Sequence, residues 1–295
     1  MHDNSDTSDP QGTWGQWLTN LIVRGLIGAA LVLPYASRVR FLGWAVERII
    51  APLAGYRQRA EDQLAFIYPD MPANERRAIA RRVCNNFGRT LIENYSHPAF
   101  GEHVAQMPVQ GPGLAAIEQA RAKRQPVIFV TGHFGNYEAP RHALNAMGYE
   151  IGALYRPMSN AFFDAHYANT MAEVSGRIFP QGRRGTMGFV RMLRDGGMGV
   201  LLFDVRSTAF DDIDFLGHPA PTATSAADIA LRVNALVVPY FGTRRADGLT
   251  FDITVEDPIA HSDPVTMMQD MTARLEAHIA THKDQWFWVH KRWRK

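Results

Sequence analysis

The chain predicts an α/β protein, a mixed sheet flanked by helices, preceded by membrane-associated helices. Three observations carry this reading. After Pro108, short apolar runs rich in β-branched residues alternate with longer amphipathic segments, the pattern of successive βαβ units. The clearest run, Val127-Ile128-Phe129-Val130, is apolar at every position, as a strand covered on both faces of a parallel sheet must be. Between residues 14 and 53, two apolar stretches of helical character lie close together, each interrupted by an arginine.

Taken in order, residues 1–13 are polar and acidic, with Asp3, Asp6 and Asp9 and no Lys or Arg, and are expected to be disordered. They lack the positive n-region of a secretory signal. A spanning helix needs about 20 mostly apolar residues. Residues 14–33 barely reach that length, contain Asn20 and Arg24, and stop at Pro34. The second stretch, 41–53, carries Trp44, Ile49 and Ile50 with Arg48 placed to snorkel. Residues 14–56 are therefore expected to form two short helices lying in or dipping into a bilayer, a hairpin packed on the following domain being the alternative. If the first helix does span, the arginines that follow it, Arg38, Arg40, Arg48, Arg57 and Arg59, put that domain on the cytoplasmic side.

Two more helices are expected over 57–98. The second sets Arg76, Arg77, Arg81, Arg82 and Arg89 against Ile79, Val83, Phe87 and Leu91, a solvated face or a surface for anionic headgroups. Strands follow near 106–110, 126–131, 150–155, 177–180, 198–203, 236–242 and 249–255. Helices fall near 112–123, 136–147, 160–173, 186–194 and 223–233, and a last one spans about 265–282. No repeat or low-complexity linker divides this, so residues 57–295 read as one domain.

Composition narrows the function. A length of 295 residues suffices for one large core. A net charge of +2 gives little support to a nucleic-acid partner. A single cysteine, Cys84, excludes an intramolecular disulfide and a cysteine zinc site, and suits a reducing compartment.

The candidate site lies in 126–140, PVIFVTGHFGNYEAP. His133 falls on the loop at a strand's carboxyl end, where open α/β sheets place their ligands. Gly135 and Asn136 supply turn and N-cap chemistry, so a helix is expected to start near Asn136 with Glu138 in its first turn. A carboxylate there can turn back to the imidazole, fix its tautomer and make its free nitrogen a better proton acceptor. The bland alternative is a surface histidine and a helix-start glutamate favoured by the dipole.

HFGNYE resembles the first motif of the lysophospholipid acyltransferase superfamily, most closely its late lipid A acyltransferases, the lauroyl and myristoyl transferases. Tyr155-Arg156-Pro157, residues 204–226, Val237-Val238-Pro239 and the tail 285–292 (QWFWVHKR) are similar to that family in the same order. The resemblance implies a glycerol-3-phosphate-acyltransferase-like fold at the inner membrane, its catalytic domain facing the cytoplasm. The implied reaction moves a fatty acyl chain from an acyl carrier protein thioester to a hydroxyl of a lipid A precursor, without cofactor or metal. Another membrane lipid, such as an ornithine lipid, a lysophospholipid or a glycolipid, is the alternative acceptor.

In that reading His133 is the base and Glu138 orients it. The backbone amides of Phe134 to Asn136 are candidates for the oxyanion site. Arg156 contacts substrate phosphate or the transition state, a structural ion pair being its alternative. Asp204, emerging beside His133 if their strands are neighbours, is a second partner for the imidazole. Where many family members have two acids this chain has Asp204 and then Arg206. Phe215, Gly217 and Thr222 are expected to line an acyl or saccharide groove, Thr222 being equally suited to capping. Trp286, Phe287, Trp288 and Trp293 suit an interfacial belt or packing on the domain. A metallohydrolase using His133, Glu138 and His142 as ligands and a non-catalytic membrane adaptor are the rival classes.

Overall fold

The computed structural model describes residues 12–175, 177–207 and 211–293, so the disorder expected over 1–13 lies, except for Gly12 and Thr13, outside the described residues. Seven strands form one sheet: β1 (Val109–Gln110), β2 (Val127–Thr131), β3 (Ile151–Tyr155), β4 (Ile178–Pro180), β5 (Met198–Leu202), and a later pair over Leu236–Arg244 and Phe251–Val255. Between β5 and that pair, β6 (Asp211–Phe215) and β7 (His218–Thr222) make a separate antiparallel hairpin; β8 is Leu236–Arg244 and β9 Phe251–Val255. The sheet order is β1-β9-β8-β2-β5-β3-β4. All its pairs are parallel except β8 with β9.

Each of the seven strands read from the sequence is present. The β6–β7 hairpin was not expected, because DDIDF and HPAPT are rich in Asp and Pro and carry no strand signature. Its turn explains it: Leu216 and Gly217 both adopt positive φ (54° and 77°), the two-residue geometry whose twist matches the flanking strands.

At the N-terminus, α1 (Trp14–Leu31) opens with a capping box between Thr13 and Gln16. Next, α2 (Tyr35–Ala45) starts after Pro34 and runs through a π-helical turn (Val46–Ile50) into α3 (Ala51–Leu53). The second helix thus begins six residues before the expected residue 41. Then come α4 (Tyr56–Ile67), α5 (Ala73–Asn94) and α6 (Ala99–Val104). These first helices have two faces. Ile27, Ala30, Val39, Leu42 and Val46 are buried against Cys84 and Ile92 of α5. Trp14, Trp17, Ile22, Phe41, Trp44 and Leu53 are exposed. Among the described residues no helix is long and apolar enough to cross a membrane.

The remaining helices cover the sheet: α7 (Gly113–Ala122), α8 (Ala139–Ala146), α9 (Ala161–Ser175), α10 (Arg183–Arg194), α11 (Ser225–Val233) and α12 (Pro264–Thr281). Alternation along β2 sorts them. Val127 and Phe129 join Ile117 of α7, Leu144 of α8 and Met171 of α9. Ile128 and Val130 join Phe189 of α10, Ile229 of α11 and Leu275 of α12 on the other face.

The aromatic tail takes the second of its two expected roles. Trp286, Trp288 and Trp293 are buried in the second cluster, and Trp286 packs edge to face on Trp288 at 4.8 Å. They fill the core beside the hairpin instead of forming a belt, because their indole N–H groups find partners in Asp204, Lys283 and Phe215.

Candidate active site

β2 and β5 are direct neighbours, with Thr131 opposite Leu202. Both strands run the same way, so the residues two places beyond their ends, His133 and Asp204, emerge together at the carboxyl edge. Asp204 Oδ1 lies 2.8 Å from His133 Nδ1. Its Oδ2 accepts from the His133 backbone N–H at 2.8 Å and from Trp286 Nε1–H at 2.9 Å. The carboxylate side chain is 1% exposed and the imidazole 27%, so the pair is anchored at the acid and open at the base.

Burial by itself would push the Asp204 carboxyl up. The His133 charge and hydrogen bonds, with His290 beyond, outweigh it and hold the group below the ordinary carboxylate range. An ionised carboxylate only accepts hydrogen bonds, so Nδ1 carries a proton, and in the neutral ring it is Nε2 that presents the lone pair. That is the tautomer a general base requires.

Glu138, the expected partner, is turned away. Its carboxylate accepts from Arg141 Nη1 at 3.0 Å, and both side chains are buried. The helix also starts later than Asn136 would imply, since α8 begins at Ala139 with Glu138 at its N-cap. Asn136 instead closes an Asx turn, its Oδ1 accepting from Glu138 N–H at 2.9 Å. Its amide donates to Glu93 Oε2 at 2.8 Å. Arg244 grips both Glu93 oxygens, at 2.5 and 2.7 Å, so the loop after His133 is fastened to α5 and β8 by a buried ionic network.

The oxyanion expectation is corrected as well. The Phe134 N–H donates to Gly132 O, the Gly135 N–H to Gln285 O and the Asn136 N–H to Gly242 O, at 2.7 to 3.0 Å. None of the three is left for a substrate. Gly135 has φ 53°, and a Cβ there would stand 2.0 Å from Gly242 O, so glycine is what lets the loop pass so close to β8.

The expected groove residues are not gathered at the imidazole. Phe215 is buried between Trp286 and Trp293. Thr222 is buried, its hydroxyl donating to Ala220 O and accepting from Arg292 Nη2. Gly217 sits in the hairpin turn, its N–H held by Asp214 Oδ1. All three belong to the hairpin's own packing. Arg156 lies exposed just past β3, and its charge acts on His290, which places it on the site's side of the sheet.

Three groups that spacing did not reveal complete the surroundings. Trp286 donates to Asp204. The His290 ring stands at 4.9 Å from the His133 ring, edge to face, with its Nε2 buried and without a partner among the described residues. Burial first, then the charges of His133, Arg292 and Arg156, lower its pKa to about 4 against a smaller opposing pull from Asp204, so it is neutral near pH 7. Tyr137, 5.5 Å from the His133 ring, has its hydroxyl 3.2 Å from that of Tyr167. The signal for Trp286 and His290 was their place in the tail block; Tyr137 had only its place inside the motif.

The metal-site grouping does not form. His142 is buried against Phe100, its pKa lowered to about 3 by burial and then by Arg141 and His97. Among the described residues no three His, Cys, Asp or Glu converge to hold a metal ion. Burial likewise pushes the Cys84 thiol up to about 11, which leaves it a poor nucleophile.

The sequence model of the family described as bacterial lipid A biosynthesis acyltransferase matches residues 3–295. A lipid A biosynthesis myristoyltransferase of Escherichia coli K12 is 24% identical over 291 residues, covering 94% of this chain and 86% of its own. A lipid A biosynthesis acyltransferase of Haemophilus influenzae is 23% identical over 288 residues, with the same coverage of 94% and 86%.

Proposed function

This chain belongs to the bacterial lipid A biosynthesis acyltransferase family and is an acyltransferase; from that premise we propose that it moves a fatty acyl chain from an acyl carrier protein thioester to a hydroxyl of a lipid A precursor. His133 takes the hydroxyl proton through Nε2, and Asp204 holds Nδ1–H and stabilises the imidazolium that forms. The hydroxyl oxygen then attacks the thioester carbonyl. The tetrahedral intermediate collapses with loss of the carrier thiolate, which takes up the proton from His133. Arg156, exposed on the same side, is the cation assigned to the oxyanion or to a substrate phosphate.

The observation that carries this reading is the 2.8 Å contact between His133 Nδ1 and a buried carboxylate, on an imidazole that stays 27% exposed. The neighbouring β2 and β5 that create it support the glycerol-3-phosphate-acyltransferase-like arrangement expected of the domain at 57–295. The exposed apolar faces of α1 and α2, rich in tryptophan, support a surface lying in the headgroup region of the inner membrane on its cytoplasmic side.

The test is direct acyl transfer with purified protein, acyl carrier protein thioester and a lipid A precursor. Wild type is expected to be active and His133→Ala to fall to background with an unchanged melting temperature. Full activity in His133→Ala refutes the assignment of the base. Mass spectrometry of lipids from a deletion strain decides the acceptor: loss of an acyl group from lipid A supports it, and loss from an ornithine lipid, lysophospholipid or glycolipid with lipid A intact overturns it.

A further inference from the structure

We propose that the outer groove between α10 and α11 is the docking site for an acidic protein face, that of the carrier presenting the acyl thioester; this rests on the donor assigned above. The groove encloses about 620 Å³, and Arg184, Arg191 and Arg194 of α10 and Arg232 of α11 line it with Met187 and Val190. All four arginines are exposed. Among the described residues none of them pairs with a carboxylate, and no acidic side chain lines the groove. In a chain of net charge +2, this concentrates unneutralised positive charge on one face.

The shape favours a helix. Positions 184, 187, 191 and 194 recur at three- and four-residue steps, one stripe along a helix of 12 residues, about 18 Å long at 1.5 Å per residue. Met187, 64% exposed, gives the stripe a soft apolar centre flanked by charge, the complement of an acidic amphipathic helix. A lipid surface fits less well. The apolar α1 packs on α9, and α9 covers the opposite face of the sheet from α10. The groove therefore looks away from the helices suited to a bilayer.

Its place suits delivery of a thioester to His133. Gln181, just before α10, donates its N–H to Tyr155 O at 2.7 Å, beside Arg156. The first turn of α10 thus lies at the carboxyl edge where β2 and β5 present His133 and Asp204. A carrier seated on the arginines has the mouth of the site at one end of its footprint.

The experiment compares two donors, carrier-bound acyl thioester and the small acyl-pantetheine thioester, in wild type and in Arg184→Glu/Arg191→Glu. The variant is expected to raise KM for the carrier-bound donor at least about tenfold, with kcat/KM for the small donor within about twofold. Rising ionic strength should depress kcat/KM for the carrier more steeply in wild type than in the variant. Binding to anionic vesicles should be unchanged. Equal KM values with the carrier, or a loss confined to vesicle binding, overturn the docking site. A loss of similar size with both donors also overturns it, since that marks damage to the active site. Wild-type enzyme that acylates from the small donor and never from the carrier sinks the donor assignment itself, an outcome distinct from all three.

Discussion

Two carboxylates are candidates to orient His133, and sequence spacing alone ranks them in the wrong order. Glu138 is five residues away and Asp204 is 71, yet the imidazole hydrogen-bonds to Asp204 while Glu138 neutralises Arg141. The two substitutions should therefore separate. Asp204→Asn, which removes the charge and leaves the shape, is expected to lower kcat by about 10²- to 10⁴-fold with KM little changed. Glu138→Ala deprives a buried guanidinium of its carboxylate and is expected to cost about 3 kcal/mol of stability, read by denaturant unfolding, while the folded fraction keeps much of its turnover. The reverse outcome would restore Glu138 as the orienting acid. Spacing reaches only local geometry, so it found the imidazole at the end of β2 and offered Asp204 as a partner on condition that β2 and β5 adjoin. It could not show that the amides of Phe134, Gly135 and Asn136 are spent on Gly132, Gln285 and Gly242, because two of those three acceptors lie more than a hundred residues away.

At the scale of elements, two histidines, His142 buried and His290 half-buried, tie stability to pH. His142 on α8 and His290 in the tail have pKa values of about 3 and about 4 in the folded protein, below the unfolded value of about 6.5. As pH falls from that value the unfolded chain binds protons the folded chain refuses, so stability is full above about 6.5 and declines toward 4 and then 3. Unfolding free energies are expected to drop by several kcal/mol between neutral pH and about 4. His142→Gln should flatten that slope, and identical slopes in variant and wild type would remove His142 as its source. The central strands were readable because burial on both faces demands continuous apolar runs, a demand that Val127 to Val130 and Leu236 to Val238 meet openly, and β9 by its alternation of Phe251, Ile253 and Val255 with Asp252 and Thr254. The β6–β7 hairpin escaped because it is held by a positive-φ turn and by tryptophans from the tail, and not by the composition of its strands. Gly217→Ala, strained at φ 77°, is expected to cost about 1 kcal/mol.

Over the whole molecule, a core that buries one side of α1 and α2 leaves tryptophans on the other. Trp17→Glu combined with Trp44→Glu is expected to weaken co-sedimentation with vesicles by about tenfold or more, with turnover on detergent-dispersed substrate preserved; undiminished vesicle binding would dispose of the membrane face. The order in which the chain is made adds a further constraint. Asp204 is gripped by the indole of Trp286, the carbonyl of His133 by the amide of Phe287, and the hairpin by Arg292 and Trp293. Those clasps are translated more than 150 positions after the imidazole they steady. A nascent chain that has not yet reached Trp286 lacks the pieces that lock Asp204 beside His133, so messages cut short just before Trp286 are expected to yield protein without turnover.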